Sequence, residues 1–204
     1  YSGTLILDNE EKLLKYLAYV KVGADDPMSE KSQAFQEFVR LLTHAKEIIA
    51  KKHEADTKAA YKQVLPDLGD LQKEKAPGDL ISDIQKSSKG GKANGYIYTV
   101  DPSGYGGKIK LMVGIDAEKG TITGIKVLSH SETPGLGARS TEPEWQAQFK
   151  GKSLKNDLVV TKQDPTKDND IRAITAATIT SRAVVTGVNA ARDHYMKNFA
   201  NGKG

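Results

Sequence analysis

Seven consecutive residues, Thr175, Ala176, Ala177, Thr178, Ile179, Thr180 and Ser181, stand where a strongly helical segment begins. The free N–H groups and positive dipole end of a helix start attract phosphate, small alanines leave it room, and a hydroxyl there can bond to it. The same threonines and serine are also ordinary helix caps. A second group runs from Ser131 to Arg139 and contains Glu132, Thr133, Pro134, Gly135, Leu136 and Gly137. Proline followed by glycine suits a type II turn, and Gly137 leaves a backbone edge bare enough to read a heterocycle. Glu132 and Thr133 can hydrogen-bond a polar ring system and Leu136 can cover its apolar face, although a capped tight turn explains the same residues. The third group, Gly104, Tyr105, Gly106 and Gly107, sets a flat aromatic between glycines just ahead of a strand. It suits close backbone approach to a ligand, or simply a hairpin turn.

Composition narrows the chemistry. The chain has no cysteine, which removes disulfides, thiolate metal sites and iron–sulfur clusters together, so redox work requires a bound cofactor. Its four histidines, His44, His53, His130 and His194, share no ligand spacing, and metal binding is unsupported. With 30 basic and 26 acidic side chains the net charge is +4, too small a bias to predict a nucleic-acid partner. There is neither a dinucleotide fingerprint nor a lysine-bearing phosphate loop. No apolar run approaches the roughly 20 residues of a membrane helix.

These groups need elements to position them. Up to about Leu65 the sequence reads as helical, with Leu13, Leu14, Leu17 and Val20 on one stripe and Phe35, Phe38, Val39, Leu42 and Ile49 on another. Gly23 to Ser29 forms a break between them, and Pro66 ends the region. Residues 67–94 are polar and rich in glycine, serine and lysine, which predicts a loop with one helical turn. Strands are expected at Tyr96–Val100, Lys108–Ile115, Thr121–Leu128 and Leu158–Val160, the second and third forming an antiparallel hairpin. A final helix runs from about Ile179 to Phe199, with Val184, Val188, Ala191 and Tyr195 on one stripe. This order predicts an α+β fold, a mainly antiparallel sheet packed with helices, rather than a doubly wound parallel sheet. The expected division is a helical N-terminal segment, residues 1–59, and a second domain, residues 60–204.

Taken in order and spacing, Gly104–Gly107, Val113–Asp116, Glu132–Gly137, the run from Trp145 through Gln148 to Lys152, and Thr175–Thr178 carry a resemblance. From about Ala60 to Phe199 the chain resembles the FMN-binding domain family found in the G subunit of the Rnf electron-transport complex and the C subunit of the sodium-pumping NADH:quinone reductase. The Rnf protein is the more similar. The resemblance implies a flavin mononucleotide joined by a flavin transferase, through a phosphoester, to the last threonine of a Ser/Thr-Gly-Ala-Thr motif. Here that threonine is Thr178, with Thr175, Ala176 and Ala177 before it and Thr180 just beyond. Two departures stand out: Ala176 replaces the family glycine, and Arg172 lies where an aspartate often precedes the motif, with Asp170 nearby. Glu132, Thr133, Leu136 and Gly137 match the segment that lies against the isoalloxazine ring, with Lys152 and Tyr105 as further members of the site. The resemblance also implies an electron-relay subunit rather than a self-standing enzyme. It would work beside other Rnf-type subunits on the extracytoplasmic face, held by a membrane helix upstream of Tyr1. A flavin-sensing domain outside such a complex, or a structural adaptor with a vestigial flavin site, are the competing readings.

Overall fold

The computed structural model describes residues 39–40, 43–44 and 56–200. Contacts divide the chain into two units, Tyr1–Asp56 and Thr57–Gly204. In the first, residues 39–40 and 43–44 are helical, and the Thr43 hydroxyl donates to the Val39 carbonyl at 2.9 Å. The expected stripe from Leu13 to Val20 and the break at Gly23–Ser29 lie outside the described residues.

Helix α1 (residues 56–64) leads into the second unit and stops just short of Pro66, whose ring cannot continue it. Five strands follow as one antiparallel meander in chain order: β1 (Asp70–Glu74), β2 (Ile81–Lys89), β3 (Lys92–Val100), β4 (Lys110–Asp116) and β5 (Thr121–Ser129). The last three agree with the strands expected from β-branched and aromatic runs. The β4–β5 hairpin forms with Asp116 opposite Thr121, and the Asp116 carboxylate accepts from the N–H groups of Glu118 and Lys119.

β1 and β2 correct the expectation of a loop over residues 67–94. β1 is an edge strand with four exposed residues in five, and β2 buries only Ile81, Ile84 and Ser87 across a bulge. Their partners, not their own hydrophobicity, make them strands. One signal was present in the sequence. Lys89 pairs with Lys92 across Gly90 and Gly91, whose φ values of 57° and 79° are those of a two-residue type I′ hairpin.

β3 is buried on both faces because helices cover both. Ile97 joins Met112, Ala60, Val64 and Leu65 on the α1 side. The alternate residues Tyr96, Tyr98 and Val100 join Val184, Val188, Ala191 and Tyr195 of the long C-terminal helix. Between sheet and C-terminal helix the chain makes a 3₁₀ turn (Gly137–Thr141), a short helix α2 (Pro143–Ala147), and strands β6 (Val159–Thr161) and β7 (Asp170–Arg172). β6 and β7 pair in parallel, an arrangement that no pattern in the sequence announces. β7 delivers the chain to the start of helix α3 (Thr178–Asn198). The fold is α+β.

At the far end of α3, Tyr96 stacks on Phe199 with ring centroids 4.5 Å apart, and the Tyr98 hydroxyl lies 3.2 Å from His194 Nδ1. Burial pushes the Tyr96 phenol up to about 12 and the Tyr98 phenol higher still, so Tyr98 stays protonated beside the imidazole. Desolvation, aided by Lys197, holds His194 below its ordinary value of 6.5. The folded state therefore binds a proton less readily than the unfolded chain, and stability is full above pH 6.5 and declines as pH falls below it. Thermal melts across this range should show the decline in the wild type and a shallower one in His194→Gln.

Candidate functional site

The three groups of residues singled out in the sequence meet at one carboxylate. Glu132, just beyond β5, is only 5% exposed. Its Oε1 accepts the Gly106 N–H at 2.8 Å, and its Oε2 accepts the Thr180 hydroxyl. A Cβ at Gly104 would strike Oε1, and one at Gly137 would strike both Oε2 and Thr180 Oγ1. The glycines are thus the cradle that admits the carboxylate. Both of its oxygens are turned inward onto the chain, Oε1 to the glycine-rich turn and Oε2 to the start of the C-terminal helix.

The tip beyond Glu132 is a turn in which Leu136 N–H donates to the Thr133 carbonyl at 3.2 Å. Pro134 and Gly135 occupy its centre, and Gly135 at φ 73° gives the expected type II geometry. The Thr133 carbonyl also accepts from Ala138, which seats the 3₁₀ turn. Leu136 is left 40% exposed beside this tip, and Tyr105, between its glycines, is 72% exposed.

The third group begins with a turn closed by Ala177 N–H on the Ile174 carbonyl at 3.0 Å. Ala176 sits within it at φ 61°, the left-handed region that glycine occupies freely. This is the position where the resembled family carries glycine. The turn is fixed from behind: Ser181 Oγ accepts the Ile174 N–H and donates to the Ala177 carbonyl, both at 2.9 Å. Upstream, Trp145 Nε1 donates to the Arg172 carbonyl and Gln148 accepts its N–H, each at 2.8 Å.

α3 then starts at Thr178 with no side-chain cap and no acidic residue in its first turn. Helix geometry leaves the first N–H groups without intrahelical acceptors, a concentration of partial positive charge. The four hydroxyls here divide cleanly. Those of Thr180 and Ser181 are committed to Glu132 and the backbone. Those of Thr175, exposed, and Thr178, half-buried, have no hydrogen-bond partner among the described residues. Ala177 is buried, Ala176 is exposed, and Ile179 is 56% exposed. Ile179 belongs to the run recognised in the sequence but carries no cofactor role there, since nothing in its spacing separates it from a core position.

Lys152 is not brought into this group by any bond; its ammonium donates to the Asp170 carbonyl at 3.1 Å, at the start of β7. The Asp170 carboxylate is turned to the N–H groups of Thr166 and Lys167, which hold it below the ordinary range. Arg172 pairs with Asp164 at 2.7 Å. A cleft of about 370 Å³, lined by Arg139, Trp145, Gln148 and Arg172 among others, reaches the turn at Ile174 and Thr175 and stops short of Thr178. Among the described residues there is no cluster of His, Asp and Glu able to hold a metal ion.

Residues 104–193 match the FMN-binding domain family, a span that contains all three groups. The chain is 50% identical over 106 residues to the G subunit of the Na(+)-translocating ferredoxin:NAD(+) oxidoreductase complex of Acetobacterium woodii, covering 48% of this chain and 50% of that protein. It is 37% identical over 146 residues to the G subunit of the ion-translocating oxidoreductase complex of Methanosarcina acetivorans, covering 67% of this chain and 73% of that protein. A solved structure of the C subunit of Na(+)-translocating NADH-quinone reductase from Parabacteroides distasonis is similar at 26% identity and TM-score 0.49, over 56% of this chain and 61% of that one. The matched stretch spans only half the length of the Acetobacterium protein. On the Methanosarcina match, the chain belongs to the family of G subunits of ion-translocating oxidoreductase complexes.

Two stability measurements follow from this geometry. Ala176→Gly should stabilise the second unit by about 1 kcal/mol in denaturant titration, because it relieves a left-handed alanine. Glu132→Ala should cost about 3 kcal/mol by leaving two donors without their acceptor. Glu132→Gln should cost clearly less, since its amide can still accept from Gly106 and donate to Thr180. A Gln variant as unstable as the Ala variant would show that charge, not hydrogen bonding, holds the three segments.

Proposed function

We propose that this chain carries one FMN, joined through its phosphate to Thr178, and serves as an electron-relay subunit of an Rnf-type ion-translocating membrane redox complex. The observation that carries the reading is the division of hydroxyls. Thr180 and Ser181 are spent on the fold, while Thr178 stands unbonded at an uncapped helix start.

The residues present suit the cofactor. Unpaired N–H groups at the start of α3 match a phosphate, and Ala176 and Ala177 keep the approach open. Tyr105, Leu136 and Ile179 are exposed apolar surface on the three segments that Glu132 ties together, and they suit a flat tricyclic ring. Thr133 and Gly137 offer polar backbone near that ring, and Thr175 flanks the phosphate. Glu132 acts through Gly106 and Thr180 rather than on the cofactor itself. Lys152 supports β7, one step behind the acceptor turn.

Attachment exchanges the Thr178 Oγ–H bond for an Oγ–P bond. The donor must be an FMN phosphoanhydride such as FAD, so that AMP leaves and the hydroxyl proton is released. No carboxylate or imidazole among the described residues bonds the Thr178 hydroxyl, and deprotonation is assigned to a flavin transferase. When bound, FMN supplies reversible electron acceptance; the chain binds it, orients it and sets its surroundings.

The relatives are named as subunits of ion-translocating oxidoreductase complexes, and on that ground the remaining subunits are the proposed partners. Among the described residues no helix is long and apolar enough to cross a membrane. The upstream anchor and the extracytoplasmic placement belong to the same proposal and rest on family resemblance.

Coexpression with a flavin transferase should leave flavin fluorescence on the denatured chain and add the mass of the FMN adduct. Thr178→Ala should abolish both, whereas Thr175→Ala and Thr180→Ser should retain them. A Thr178→Ala chain that still carries the full adduct would falsify the assignment.

A further inference from the structure

We propose that Arg182 is the charge partner of the phosphodiester formed at Thr178. The inference rests on the reading of Thr178 as the flavin acceptor and assigns a second residue to that site.

Arg182 lies four residues after Thr178 within α3, one helical turn along the same face. Side chains on a helix lean toward its N-terminus, so a long side chain at residue 182 runs back over residue 178. Arg182 is exposed and free to do so.

Its charge environment differs from that of the other described arginines. The other arginines described in the second unit all have carboxylates: Arg139 pairs with Glu142 at 3.1 Å, Arg172 with Asp164 at 2.7 Å, and Arg192 with Asp157 and Asp193. Arg182 has no carboxylate partner among the described residues. Its own helix offers none, because the positions three and four residues away are Thr178, Ile179, Val185 and Thr186. It also stands near the positive end of the α3 dipole, where a cation is unfavourable, in a helix whose first turn has no acidic residue. A phosphodiester on Thr178 carries one negative charge and places it at the helix start, one turn below the guanidinium.

The test compares wild type with Arg182→Gln, each as the unmodified chain and after complete flavinylation by a coexpressed transferase. The quantity measured is the rise in thermal midpoint on flavinylation, at low and at high salt. At low salt the rise in Arg182→Gln should fall short of the wild-type rise by about 2–3 °C, and high salt should close the gap. The unmodified Arg182→Gln chain should melt no lower than unmodified wild type, because a cation has been removed from the positive end of a dipole. Equal rises at low salt overturn the pairing, as does a shortfall that salt leaves unchanged. A wild-type chain that takes up no flavin instead removes the reading of Thr178, an outcome visible before any variant is compared.

Discussion

One buried carboxylate organises the site. Glu132 is nearly sealed from water, and an ion in that position is tolerable only when its oxygens are matched by donors. The donors come from a backbone N–H at Gly106 and a hydroxyl at Thr180, on segments that share no secondary structure with each other. That single requirement fixes where the glycine-rich turn, the Pro-Gly tip and the start of α3 lie relative to one another. It also dictates composition: side chains at Gly104 and Gly137 would collide with the carboxylate itself. The exposed apolar residues then emerge directly beside the positions that the carboxylate engages or crowds, Tyr105 beside Gly106, Leu136 beside Gly137 and Ile179 beside Thr180.

Much of this arrangement was legible in the residues. The stripe Val184, Val188, Ala191 and Tyr195 identifies α3, and its partners Tyr98 and Val100 are the alternate residues of a strand recognised by composition. The β4–β5 hairpin follows from β-branched runs around a glycine-bearing turn. β1 escaped because an edge strand with solvent on most of its surface has no hydrophobic pattern to show, β2 because its buried residues are three positions apart across a bulge rather than alternating, and only the Gly90–Gly91 pair marked the hairpin. The parallel pairing of β6 with β7 joins segments of three residues each, too short for any periodicity.

Within the site, the three constellations were recognisable as separate groups, and their convergence was not. Glu132 illustrates why. An acid flanked by turn residues reads as a ligand contact when its surroundings are unknown, and its inward orientation depends on residues 26 and 48 positions away. Ala176 is the reverse case: the family glycine it replaces signals a special backbone conformation, and the φ of 61° is that conformation. The turn persists with a less suitable residue because Ser181 and the Ile174–Ala177 bond hold both of its ends.

The 48-residue span between Glu132 and Thr180 has a bearing on biogenesis. Closing so long a loop is entropically expensive, and nothing local rewards it until β5 is paired and α3 has docked. During synthesis the carboxylate therefore waits for almost the whole domain to emerge, while the proposed acceptor, Thr178, is among the later parts of it to be made. Loading of the prosthetic group at that threonine would thus operate as an inspection of finished protein: a truncated or misfolded chain would lack the geometry to be charged. An expensive redox centre would be committed only to copies already competent to hold it.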